Sequence, residues 1–275
     1  MSYISNTFIS GGRNVPLSEQ SLSVSLRSDG FAFSITSVRD ELLAYGEITH
    51  QWADSVADSM KTIKSVFEEH GVIPFGFRHM ELVVNTQQFS WVPDEFYQPG
   101  NDKQYLDAIC SIEPGKHIYC DHNTQVGAHV IFTADNSIVS AFQIALPGVV
   151  IRCQHSAFVS ADTIKRSEGR PFILVNLRHG LCDVVVLRNG KLLLTNTYTY
   201  ANFDEMLYRV LNVIKQMHLE EDTLSLTLSG EIDRAHFVSM QHYFRNLDLY
   251  KGRPLKFTAA DMYRLHTYKQ AACLA

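Results

Sequence analysis

Residues 172–197 read FILVNLRHGLCDVVVLRNGKLLLTNT, and this stretch decides the fold. Residues 172–177 form a continuous apolar run, the mark of a strand buried on both faces. His179-Gly180 supplies a turn, 184–187 a second apolar strand, and Asn189-Gly190 a hairpin signal before a third strand over 192–197. An amphipathic helix follows. Phe203, Leu207, Val210, Ile214 and Met217 recur at steps of four, three, four and three, which keeps one face apolar. A last strand, 224–228, closes the unit on Ser229-Gly230.

The same order occurs earlier in the chain. Leu22, Val24 and Leu26 alternate with polar residues, Ser28-Asp29-Gly30 turns, and Phe31, Phe33 and Ile35 alternate again. A third strand is expected over 42–48. Trp52, Val56, Met60, Ile63 and Phe67 then make a helical stripe that stops at His70-Gly71, and 80–84 reads as a strand. Five elements thus repeat in order at an offset of roughly 150 residues, which points to an internal duplication.

Between the repeats, residues 86–170 predict a helix over 102–112, a strand pair over 116–121 and 127–133, a helix over 136–145, a short strand over 149–152 and a helix over 157–165. The polar stretch around Gly169 and Pro171 marks a boundary. The expected organisation is a loose arm over 1–20, a first lobe over 21–168 carrying an insertion at 86–168, and a second lobe over 169–275. The fold class is α/β, with mixed sheets flanked by helices.

Composition narrows the function classes. The 275 residues are 45% hydrophobic and 19% charged, enough apolar material for two cores. A net charge of −5 gives no electrostatic attraction for nucleic acid. Five cysteines lack CxxC spacing, and the first seventeen residues carry no apolar signal core, so a cytoplasmic setting is expected. No apolar run is long enough for a transmembrane helix.

A repeated three-strand meander followed by a helix and a strand resembles the ribonuclease-H-like unit. Two in tandem resemble the actin, sugar-kinase and heat-shock ATPase superfamily. The second meander, from Ile173 through Gly190 to Leu194, is similar to the second phosphate hairpin of its pilus-assembly and secretion-system members. The order of segments resembles more narrowly a Bacteroidota family of unknown function, numbered 3822. The segments carrying that likeness are Leu22 to Ser25, Asp29 to Ile35, Trp91-Val92-Pro93, Leu146-Pro147, His155 and the second meander. The resemblance implies a two-lobed actin-like fold and assigns no activity.

In the ATPase relatives an Asp ends the first strand of each lobe and holds the metal. Glycines in each hairpin let backbone N–H groups approach the phosphates. The matching positions here are Ser25 and Asn176, and Arg27 and Arg178 stand where a glycine is expected. The resemblance therefore implies a degenerate nucleotide cleft at Ser25, Arg27, Asp29, Gly30, Asn176, Arg178, Gly180, Ser229 and Gly230. The arginines read as salt-bridged or solvated turn residues. No cofactor and no catalytic residue is expected. The alternative is a divergent ATPase in which Asp29 replaces the missing acid for ATP and Mg²⁺.

Cys120 and His122 share a strand face, with His117 upstream and His129 able to approach across a hairpin. Without zinc-ribbon or HExxH spacing, they read as a polar strand face and no metal is assigned. His155 reads as an interlobe residue, and the aromatic segment around Trp91 as a core flap. The leading expectation is a non-catalytic scaffold that binds another protein or a second copy of itself.

Overall fold

A computed structural model describes residues 4–10, 15–39, 41–52, 55–178, 180–230 and 234–250. The strands of the first half are β1 (Ile4–Ser10), β2 (Gln20–Arg27), β3 (Gly30–Ser37), β4 (Leu42–Thr49), β5 (His79–Val84), β6 (Phe89–Pro93), β7 (Lys116–Asn123), β8 (Ala128–Asp135) and β9 (Val150–Cys153). Helices α1 (Val56–Glu69), α2 (Asp102–Asp107), α3 (Asn136–Ala145), α4 (Gln154–Phe158) and α5 (Ala161–Arg166) lie among and after them. The second half holds β10 (Phe172–Arg178), β11 (Leu181–Arg188), β12 (Lys191–Thr199), α6 (Phe203–Gln216), β13 (Ser225–Gly230), α7 (Arg234–Met240) and β14 (Leu247–Leu249).

The duplication is visible in the sheets. One has the order β1-β4-β3-β2-β5-β9 and another β12-β11-β10-β13-β14. Each contains an antiparallel meander whose first strand also pairs in parallel with the strand after the long helix. The helix makes the crossover that a parallel pair requires. The registers coincide too. Ser25 sits beside Ala32 and Val83, and Asn176 beside Asp183 and Ser229. A third sheet, β6-β8-β7, belongs to the segment between the repeats.

Local chemistry starts both long helices. The Ser55 side chain accepts from the Asp58 N–H, and the Asn202 side chain from the Glu205 N–H, at the two N-caps. The stripes then bury Ile63, Val66 and Phe67 in the first core, and Met206, Leu207, Val210 and Ile214 in the second.

The unbroken apolar run of β10 is explained by burial on both sides. Ile173, Val175 and Leu177 face α6, whereas Phe172 and Leu174 join Val185 and Leu187 against Val83, Ala157, Phe158 and Val159. That third core holds the two halves together.

Some expectations are corrected. The loose arm over 1–20 instead contains β1, paired antiparallel with β4, and a 3-10 turn at Leu17–Glu19. The helix expected over 102–112 ends at Asp107. The one expected over 157–165 is two helices, because the Ser160 hydroxyl accepts from the Thr163 N–H and starts α5 afresh. The Trp91 flap is an edge strand ending on Pro93, where a missing N–H is tolerated. The part of the expected second lobe beyond residue 250, and His179 of its first turn, lie outside the described residues. No helix among the described residues is long and apolar enough to cross a membrane.

Candidate functional site

The second hairpin is organised around an acid that its sequence motif does not single out. Asp183 opens the apolar half of β11 and is fully buried. Its Oδ2 accepts from Asn176 Nδ2 (2.8 Å) and Arg178 Nε (2.9 Å). Its Oδ1 accepts from Arg178 Nη2 and Thr197 Oγ1, both at 2.7 Å. Burial alone would raise the pKa of this carboxyl. The Arg178 guanidinium, His155 and the hydrogen bonds outweigh that cost and hold it below its ordinary value.

His155 reaches this network from α4, across the junction of the halves. Its ring stacks on Phe89 at 3.8 Å, and Nε2 lies 2.9 Å from Thr197 Oγ1. The Thr197 hydroxyl proton goes to Asp183, so its oxygen accepts from His155 Nε2–H. Burial, opposed by Asp183 and reinforced by Arg178, pushes the imidazole pKa down to about 4. Trp91 adds a second bond across the junction, donating from Nε1 to Thr195 Oγ1 at 3.1 Å.

The first hairpin solves the same problem locally. Arg27 pairs with Glu47 of β4 at 2.7 Å and with Asp29 at 3.4 Å. Burial lowers the arginine's pKa, but the two acids more than restore it. Ser25 Oγ accepts from Asn85 Nδ2 at 2.7 Å. The hairpins share a further device: Trp52 Nε1 donates to the Arg27 carbonyl, and Tyr200 Oη to the Arg178 carbonyl, each at 3.0 Å. In both, an aromatic residue just after the third strand fastens the arginine's backbone.

Two of the glycines are required by the chain itself. A Cβ on Gly30 would lie 2.0 Å from the Ile48 carbonyl oxygen, and one on Gly230 1.9 Å from that of Leu177. A Cβ on Gly180 would meet only the Tyr200 carbonyl oxygen, at an ordinary contact distance of 3.7 Å. Near the C-terminal ends of β10 and β13, two buried polar atoms make no hydrogen bond with any described residue: Asn176 Oδ1 and Ser229 Oγ.

The structure thus gathers Asn176, Arg178, Ser229 and Gly230 at one hairpin and Ser25, Arg27, Asp29 and Gly30 at the other. Both arginines are salt-bridged. Of the nearby acids, Asp183 and Glu47 are committed to them, and Asp29 is largely exposed. Asp183 was missed in the sequence, although a lone carboxylate at the head of an apolar strand signals a buried charge that must be paired. Among the histidines, His122 and His129 do meet. Their third neighbour is Asp94, which the sequence reading did not name, instead of Cys120.

Two meander sheets of matching topology, joined through a core that includes a short buried helix, define a protein of the actin-like ATPase fold. Solved structures agree. The chain is similar to a Bacteroides thetaiotaomicron protein with actin-like ATPase fold and unknown function (TM-score 0.72, 17% identity, 91% of this chain and 96% of that chain). It is also similar to a chain of the PilM–PilN type IV pilus biogenesis complex (0.57, 13%, 93% and 97%). A third likeness is to the ethanolamine utilization protein EutJ of Carboxydothermus hydrogenoformans (0.49, 11%, 84% and 84%). At these identities the first two likenesses show the fold alone. No curated protein matches the chain. Residues 15–247 match the model of the family described as protein of unknown function (DUF3822), and the chain belongs to that family.

Proposed function

We propose that the protein is a non-catalytic actin-like scaffold that binds a protein partner. The observation carrying this reading is the state of the two hairpins. Arg178 is neutralised by Asp183 of the adjacent strand and Arg27 by Glu47 two strands away, and the acid of the second hairpin is saturated with donors. An acid held this way has no free lone pair to offer a metal, and Arg178 has its Nε–Nη2 fork closed on Asp183, whereas Arg27 gives Glu47 one N–H and keeps a buried Nε without a hydrogen bond.

A binding surface lies beside the junction. A groove of about 680 Å³ runs between β6 and β12, lined by Trp91, Pro93, Val126, Leu192 and Leu193. Both strands are sheet edges, so an extended peptide can add to either. The likeness to a chain of the PilM–PilN complex supports a protein-binding role by analogy. Free Cys110, Cys120, Cys153 and Cys182 fit a reducing cytoplasm.

Thermal unfolding with and without ATP, ADP and Mg²⁺ tests the reading. A ligand at a hundredfold over its Kd stabilises by about 2.7 kcal/mol. No shift is expected. A clear shift would favour the divergent ATP-binding alternative, for which the buried polar atoms Asn176 Oδ1 and Ser229 Oγ are the specific observation. On the scaffold side, Leu193→Asp should abolish partner binding without lowering the melting temperature.

A further inference from the structure

The segment between the repeats carries a donor cluster far from the hairpins' chemistry. His122 of β7 and His129 of β8 are directly paired across the strands. Asp94 follows β6, which pairs with β8 on its other side. Three strands of one sheet therefore each deliver one side chain to one place. The Asp94 Oδ1 atom lies 3.1 Å from His122 Nε2 and 3.1 Å from His129 Nδ1. Donors about 2.1 Å from a tetrahedral zinc stand about 3.4 Å from each other, so the spacing is already close to that of a metal's first shell.

The backbone holds the acid in place. The Asp94 N–H donates to the Gly127 carbonyl at 3.0 Å, which ties the loop after β6 to the β7–β8 turn. A Cβ on Gly127 would sit 3.5 Å from Asp94 Oδ2, so the carboxylate lies over a residue without a side chain. Asp94 and His122 are exposed, so an ion has access.

One donor is held short of its partner. His122 Nε2 makes hydrogen bonds to both Asp94 oxygens at 3.1 Å, whereas His129 Nδ1 is buried and makes none despite its distance. The reason is orientation. The two imidazoles stack at 4.4 Å with planes 18° apart, so the carboxylate in the plane of one ring lies off the plane of the other. The His χ2 torsion is broad, and turning it in His129 aims the Nδ1 lone pair at the site, at the expense of its stack on Tyr97.

We propose that Asp94, His122 and His129 form a divalent transition-metal site, closed by rotation of the His129 ring. Two imidazoles and one carboxylate suit zinc, cobalt or iron(II) better than the all-oxygen preference of magnesium or calcium. Three protein donors leave an open coordination position for water or for a side chain from outside the chain. Bound metal would clamp the loop after β6 to the β7–β8 hairpin.

Isothermal titration of the full chain with Zn²⁺, and with Co²⁺ followed by visible absorption, tests this. The expected result is one ion per chain. Asp94→Asn, His122→Ala and His129→Ala should each weaken binding by more than about a hundredfold, the upper end of what loss of an outer-shell partner costs. Cys120→Ala and His117→Ala should leave it unchanged, and an X-ray absorption spectrum of the zinc form should show nitrogen and oxygen without sulfur. Circular dichroism of each variant separates loss of the site from loss of the fold, and His122→Gln serves if the alanine variant unfolds. No binding by the wild-type chain, binding that survives the three substitutions, or weakening by Cys120→Ala overturns the proposal.

Discussion

The two hairpins occupy equivalent places in a duplicated fold, carry an arginine at the same step, and fasten its carbonyl with the same kind of aromatic donor. They differ in where the neutralising acid comes from. In the first, Glu47 and the exposed Asp29 lie within the meander and its turn, and the pairing ends there. In the second, Asp183 sits in the middle strand, fully buried, and its network runs through Thr197 to His155 on the other side of the junction. One copy is a self-contained, largely buried pair within its own meander. The other ties the halves together.

The largest test of that contrast is Asp183→Asn. It leaves a guanidinium with no charge partner in a buried setting, and should cost about 3–5 kcal/mol in urea unfolding. A loss below about 1 kcal/mol would break the comparison, since that is the range of an exposed pair.

Acid should expose the same difference. In the unfolded chain His155 returns to its ordinary 6.5, while in the folded chain it protonates only near 4. Between those values the unfolded chain binds a proton that the folded one refuses, so stability falls as pH drops through the window, by about 3 kcal/mol at pH 4 relative to pH 7. The depressed Asp183 adds a further loss below that, as its own carboxylate titrates. His155→Gln keeps an N–H donor for Thr197 and should flatten the curve between pH 6.5 and 4. An unchanged slope would show that other groups carry it.

Smaller effects belong to the first hairpin. Glu47→Gln weakens a charged hydrogen bond but leaves Asp29 beside Arg27, and should cost about 1–2 kcal/mol by the same unfolding assay. Asp29→Asn removes a carboxylate that is 64% exposed, and should stay within about 0.5 kcal/mol. If Asp29→Asn proved as costly as Asp183→Asn, the two hairpins would not differ in the way described.

Much of this architecture was legible in the chain. The helical stripes, the Asn189-Gly190 turn and the alternation at Leu22, Val24 and Leu26 depend on neighbours in sequence, and periodicity reports them directly. The repeat of five elements then carried the topology, because a meander joined to a parallel strand through a helix has few ways to close. The strands β1, β6 and β14 were not legible, since each is short or an edge and is held by hydrogen bonds to strands distant in the chain.

The sequence by itself determined the duplicated α/β fold and that Ser25 and Asn176 stand at the matching strand ends, because both follow from residue identity at positions fixed by local pattern. Tertiary structure alone decided that Arg178 answers to Asp183, that His155 of one half meets Thr197 of the other, and that Asp94 joins His122 and His129. Each of those meetings depends on which strands lie side by side and which face a side chain takes. Strand register sets both, and register is a property of the assembled sheet.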